Sequence, residues 1–250
     1  MEAYDLIFSV IFAFILVISF SLYFSLQDLK KDYKKILLLW SIGFILIFCC
    51  SKILVCTNIE FVHFFQYGFL AIILRIVIPD NFSTLWITTY LGILDETINY
   101  IWHPQFTKYL DFNDFILNFT GAFLGIITYI TFFEPILIDK SKEQLVFKVQ
   151  KIICLIGILI AVIFYTGLLT KHIKIYYPVK HNYTVVKKIH NKYVFILSFI
   201  KSKNFWSITD YGKKYHILSP IEGSLIFILL FSLTFLAKLK FKKCILRFSI

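Results

Sequence analysis

The chain has 250 residues, 59% of them hydrophobic and 16% charged, with a formal net charge of +11. No soluble globular domain is this apolar over this length, so the composition selects a polytopic membrane protein. The positive charge sits in Lys residues between and after apolar runs, as expected near anionic headgroups. No zinc-finger spacing or nucleic-acid module accompanies it, so membrane lipids are expected partners and nucleic acid is not.

The expected fold is an all-α polytopic membrane protein of about seven transmembrane helices, with a small extracytoplasmic β-rich insertion before the last helix. Span 1 is read over residues 6–24. It lacks a basic n-region and a small-residue cleavage site, so it reads as a retained span. A loop with four Lys closes the first unit, 1–35. Spans 2 to 5, at 36–55, 61–78, 83–102 and 114–133, form a four-helix core unit, 36–133. A polar stretch with four Lys and span 6, at 152–169, make up 134–170. The segment 171–220 carries ten Lys and four of the six His. Its strand-like run at 193–200, and the alternation of 205–217 about Tyr211-Gly212, predict a β-rich subdomain with a hairpin. Span 7, at 221–237, and a basic tail complete the unit 221–250. Each span is long enough for a hydrocarbon core of about 30 Å. Cys49, Cys50, Cys56, Cys154 and Cys244 show no ligand spacing and read as buried or lipid-facing thiols.

Loop 1, the loop after span 5 and the tail hold most of the short-loop Lys and Arg. The positive-inside rule therefore predicts an N-terminus outside and a C-terminus in the cytoplasm. The ten-Lys segment then falls outside, where its length removes it from the rule. In that topology three helices bring polar residues to the outer leaflet: His63 and Gln66 on span 3, Asp95, Glu96 and Asn99 on span 4, and Asp114 and Asn118 on span 5. Trp102 and Tyr109 read as interface anchors.

Polar residues so deep in apolar helices must face protein, water or a partner, because lipid cannot satisfy them. Asp114, Asn118, Gly121 and Gly125 follow one another at offsets of four, seven and eleven, which places them on one helical face. Asp114 suits the helix N-cap or first turn. Gly121 and Gly125 are a small-xxx-small pair suited to close helix packing. Asp95 and Glu96 diverge by about 100° around their helix, so only one points squarely into a given cleft. One of them reads as a general base or metal ligand, or the pair reads as a structural lock to Lys108 or His63. His63 and Tyr67 share a face, and His63 suits acid, base or ligand work. Lys108 suits pairing with Asp111 or Asp114, or an anionic group. A divalent cation at the acidic pair is the one cofactor these residues suggest. No GxSxG elbow, HExxH or P-loop occurs.

These residues resemble the VanZ-like family of bacterial membrane proteins. The resemblance rests on His63-Phe-Phe-Gln-Tyr67, Asp95-Glu96, Lys108 and Asp114-xxx-Asn118-xx-Gly121, and covers about residues 36–133. The chain departs from the pattern at Asn99, Lys108 and Gln66, where the family has Gln, Arg and commonly an acid. The family is named for resistance to the glycopeptide teicoplanin. The resemblance implies a bacterial plasma-membrane location and a cell-envelope role at the outer leaflet. It implies an amphiphilic ligand such as a lipid-linked cell-wall precursor or a lipoglycopeptide.

On this reading His63, Asp95, Glu96 and Asp114 are the candidate catalytic residues. Tyr67, Asn99, Lys108 and Asn118 are candidate ligand-binding residues. A proton-coupled transporter or flippase, and a non-catalytic scaffold, stand as the other two functions.

Overall fold

The computed structural model describes residues 33–78, 80–103, 109–133, 143–176, 185–189, 191–198 and 205–247. Span 1, Lys108, His181 and His190 lie outside the described residues. The helices are α1 (Tyr33–Ile53), α2 (Val62–Val77), α3 (Asn81–Trp102), α4 (Phe112–Phe132), α5 (Glu143–Leu169) and α6 (Pro220–Arg247), with a 3-10 turn at Asn58–Phe61 leading into α2. Among the described residues, four segments are long and apolar enough to cross a membrane: Ile36–Ile53, Asn58–Val77, Phe112–Phe132 and Lys148–Leu169. This is the pattern a multi-pass membrane protein requires. Of the seven expected spans, the fourth forms a helix of the right length but carries Asp95, Glu96 and four Thr, and it is not among these four. The seventh contributes a shorter apolar stretch, Pro220–Phe235.

Helix α4 is the centre of the bundle. Its spanning window is 72% buried, against 22% in α1, 28% in α2 and 6% in α5. The outer faces of the others carry exposed apolar side chains such as Leu38, Ile45, Phe65, Phe69 and Leu155, as helices surrounded by lipid do. Two hydrophobic clusters flank α4. Phe112, Phe115, Ile116 and Leu117 pack with Val55 and Phe64, and Phe119, Ala122 and Ile126 pack with Trp86 and Ala71. Between helices in lipid there is little hydrophobic drive, so close backbone approach and hydrogen bonds decide the packing. A Cβ built on Gly125 would collide with the Gly68 carbonyl oxygen of α2, and one on Gly121 would stand 2.8 Å from the His63 carbonyl oxygen. Gly125 therefore admits no side chain, a Cβ on Gly68 would stand 3.2 Å from the Gly121 carbonyl oxygen, and α2 lies against α4 with almost no space between backbones.

Hydroxyl groups inside the bundle are satisfied locally. Thr88, Thr89 and Thr120 donate to the carbonyls of Thr84, Leu85 and Ile116 at 2.8 Å. The α2–α3 turn is held by Arg75, which donates to Asn81 Oδ1 at 2.5 Å, and by the Asp80 cap, which accepts from the Ser83 amide at 2.7 Å.

Two small sheets follow α5. In the first, β1 (Ile173–Tyr176) runs parallel to β3 (Lys192–Ser198), and β2 (Val186–Ile189) lies antiparallel on its other side. Phe195 is opposite Ile173 and Val186. The second is the hairpin of β4 (Ser207–Ile208) and β5 (Lys214–Tyr215), with Ser207 opposite Tyr215. Gly212 turns it with φ +86°, a backbone that favours glycine. Both sheets dock on one end of the bundle. The Tyr100 hydroxyl on α3 donates to Ile196 O at 2.7 Å and accepts from the Ser198 amide at 3.0 Å. Tyr211 donates to Cys56 O at 2.6 Å. Asn113, 3% exposed, ties three segments together: its amide donates to Leu54 O at 2.9 Å and His216 O at 2.8 Å, and its oxygen accepts from the Leu218 amide at 2.9 Å.

Two substitutions test this packing. Gly125→Val adds atoms where the Gly68 carbonyl stands, and overpacking of this kind costs about 1–3 kcal/mol or more. Thermal unfolding of detergent-purified protein should show a clear drop in midpoint. Asn113→Ala leaves three buried backbone groups without partners, at about 1–3 kcal/mol each. Proteolysis should then cut the 205–219 segment faster than in the parent protein.

Candidate functional site

The end of the bundle that carries the sheets also gathers the polar residues of the helical hairpin. His63 lies in the first turn of α2, and its Nδ1 is 2.8 Å from Asn118 Oδ1 on α4. An amide oxygen only accepts, so Nδ1 carries a proton and Nε2 is left for a second partner. Nε2 faces Asp114 Oδ1 at 3.6 Å. The four-residue spacing of Asp114 and Asn118 places both groups along one ring.

Tyr67, one turn after His63, stacks parallel to it with ring centroids 6.2 Å apart. Its hydroxyl donates to Asp95 Oδ2 at 3.1 Å. The acidic pair thus divides as the 100° step between neighbours requires. Asp95 turns to Tyr67, while Glu96 joins His63 and Asp114, with one potential ligand atom of each within 4.8 Å of the others. These three come from three helices and are each partly buried. Asp95 does not belong to that group, which draws one side chain each from α2, α3 and α4. Asp114 Oδ1 and Asn118 Nδ2 are buried without a hydrogen-bond partner.

The site also shows how α3 fits between its neighbours. A Cβ on Gly92 would stand 2.7 Å from Asn118 Nδ2 and 2.9 Å from Tyr67 Cε1, so this glycine leaves the room that both side chains fill. Asn99 lies one turn beyond Asp95, and its carbonyl accepts the His103 amide at the end of α3. Gly121 and Gly125 pack on α2.

Asp114 lies in the first turn of α4 and is not its cap. The cap is Asp111, whose side chain accepts from the Asn113 amide at 2.9 Å. Asp111 stands at the position where the chain leaves its extended backbone, which is what a cap needs. Glu60 closes a second capping arrangement, accepting from the Cys56 amide at 2.6 Å and the Thr57 amide at 3.2 Å. Asn113 was not singled out from the sequence. Its signal is an amide side chain just inside a helix start, directly after the capping Asp.

Outside the spanning helices, burial holds the Asp111 carboxyl well above the usual carboxylate range, and the charge of Glu60 adds to the rise against the lowering effect of the Asn113 amide. Burial, followed by the charge of Asp111, also pushes the Tyr109 hydroxyl up.

A separate cavity of about 480 Å³ lies on another face of α3, between Trp86, Tyr90 and Ile93 and the α5 and α6 side chains Phe164 and Phe227. No residue of the His63 cluster lines it. Comparison of the chain with family models, with curated proteins and with solved structures finds no match.

The state of Asp111 has a pH signature. A carboxyl whose folded value lies above its unfolded one contributes most below the ordinary carboxylate range, and that contribution is lost as pH rises through the raised value. Asp111→Asn keeps a cap acceptor and removes the titration. Thermal midpoints across mildly acidic to neutral pH should fall less steeply in the variant than in the parent. Parallel slopes would show that Asp111 ionises as freely in the folded chain as in the unfolded one.

Proposed function

We propose that this protein acts on the polar head of an amphiphilic ligand at one end of its helical bundle, with the His63, Glu96 and Asp114 cluster as the working site. One observation carries the reading. His63 is oriented by Asn118 so that Nε2 faces Asp114, with Glu96 beside them, the arrangement of an acid, base or ligand nitrogen held in place. Polar groups that only locked helices together would be expected to satisfy one another, whereas Asp114 Oδ1 and Asn118 Nδ2 are left without hydrogen-bond partners. The nearby apolar cavity has the size and lining to take a hydrocarbon chain.

The same residues carry the resemblance to the VanZ-like family. On that resemblance the membrane is a bacterial plasma membrane and the cluster lies at its outer leaflet, with the N-terminus outside and the C-terminus in the cytoplasm. The ligand is then a lipid-linked cell-wall precursor or a lipoglycopeptide, and the outcome is reduced susceptibility to a glycopeptide antibiotic.

A non-catalytic scaffold is the second reading. It is favoured by the backbone contact of Gly68 with Gly125 and by the Tyr67–Asp95 bond, both of which join helices without any chemistry. A proton-coupled transporter would use the same carboxylates, but would more often place them near the membrane midplane than at one end of the bundle.

Glu96→Gln and Asp114→Asn, each nearly isosteric, separate these readings. Each is expected to stay monodisperse in detergent and to lose, by tenfold or more, any protection against teicoplanin that the parent confers on a bacterial host. Loss of folded protein in both variants favours the scaffold. Proton-dependent uptake into vesicles, abolished by the same changes, favours transport.

A further inference from the structure

Three features of the cluster go beyond a helix lock. The first is ligand geometry. A His63 ring nitrogen, a Glu96 oxygen and an Asp114 oxygen fall within 4.8 Å of one another, with His63 Nε2 and Asp114 Oδ1 at 3.6 Å. Bonds of about 2.1 Å to a shared ion set ligand atoms about 3–4 Å apart, so small side-chain rotations close the set. The second is orientation. Nδ1 donates to Asn118 Oδ1, which turns Nε2 toward Asp114, and metal-bound imidazoles are held by a partner of this kind.

The third is unmet polarity and charge. Asp114 Oδ1, the oxygen that faces Nε2, is buried without a hydrogen-bond partner. Asn118 is fully buried, yet its Nδ2 has no acceptor. Among the described residues, the charges that bear on Glu96 and Asp114 are other carboxylates: Asp95, Asp111 and Glu60. Carboxylates crowded in a medium of low dielectric repel one another strongly, and a bound cation turns that repulsion into attraction.

We infer that His63, Glu96 and Asp114 bind one divalent cation of the zinc or manganese class, with Asp95 outside the ligand set. One imidazole nitrogen and two carboxylate oxygens suit that class. Asp95 is engaged by Tyr67. Three protein ligands leave a position open, which an anionic oxygen of a headgroup would take. This inference rests on the cluster being a site and names what the site holds.

The test uses the full chain, purified in detergent and stripped with a chelator. It is titrated with Co²⁺, followed by visible absorption, and with Mn²⁺, followed by electron paramagnetic resonance. One equivalent per chain is expected. Glu96→Gln and Asp114→Asn should each weaken binding at least tenfold, and Asp95→Asn should keep it within about threefold. A monodisperse parent protein that takes up neither ion overturns the inference, whatever the variants do. So does binding lost in Asp95→Asn and kept in Glu96→Gln. If no ion binds but the variants still lose protection, the site reading stands without the metal. If the ion binds and no protection depends on it, the metal stands and the functional reading falls.

Discussion

The contact on which the rest depends is the one between the α2 and α4 backbones at Gly68, Gly121 and Gly125. No side chain larger than hydrogen fits at Gly125, and the carbonyls of His63 and Gly68 lie against the glycine faces of α4. This brings the first turn of α2 to the second turn of α4, where the His63 ring reaches Asn118. If the helices were held apart by the width of an ordinary side chain, that bond would be broken and His63 would lose its orientation. Dispersion forces and hydrogen bonds, which operate only at short range, are what hold helices together in lipid. The glycines therefore position the site although none of them has a functional group.

The second constraint is the cost of placing carboxylates where water is scarce. Asp95 meets it with Tyr67, Asp111 with the start of α4, and Glu60 with the Cys56 and Thr57 amides. Glu96 and Asp114 remain, beside an imidazole whose free nitrogen faces them. A fold could have used apolar residues of the same size at less cost, and buried ionisable groups are often retained for work other than stability. The site's unmet groups therefore say more about function than its satisfied ones do.

The two sheets cover this end of the bundle. Asn113 bonds to the chain leaving α1 and to the chain entering α6, and Tyr100 bonds to the C-terminal half of β3. One amide and one phenol thus register the polar segment on the helices.

Much of this was legible in the chain. Long apolar runs predicted membrane-crossing helices, because hydrocarbon admits a backbone only when its hydrogen bonds are closed internally. The hairpin about Tyr211-Gly212 was readable from alternation and glycine. The four-residue spacings of His63 with Tyr67 and of Asp114 with Asn118 placed each pair on one face. What the chain could not reveal was how faces on different helices meet. That Asp95 goes to Tyr67 and Glu96 to His63 and Asp114 depends on the rotation of α3 about its axis, which Gly92 permits by making room for Asn118. That Asp111 and not Asp114 caps α4 depends on where the backbone leaves its extended form. Local periodicity determined which residues share a helix face, because it follows from the geometry of a single helix. Only the tertiary structure decided which faces share a site, because that follows from short-range contact between helices distant in sequence.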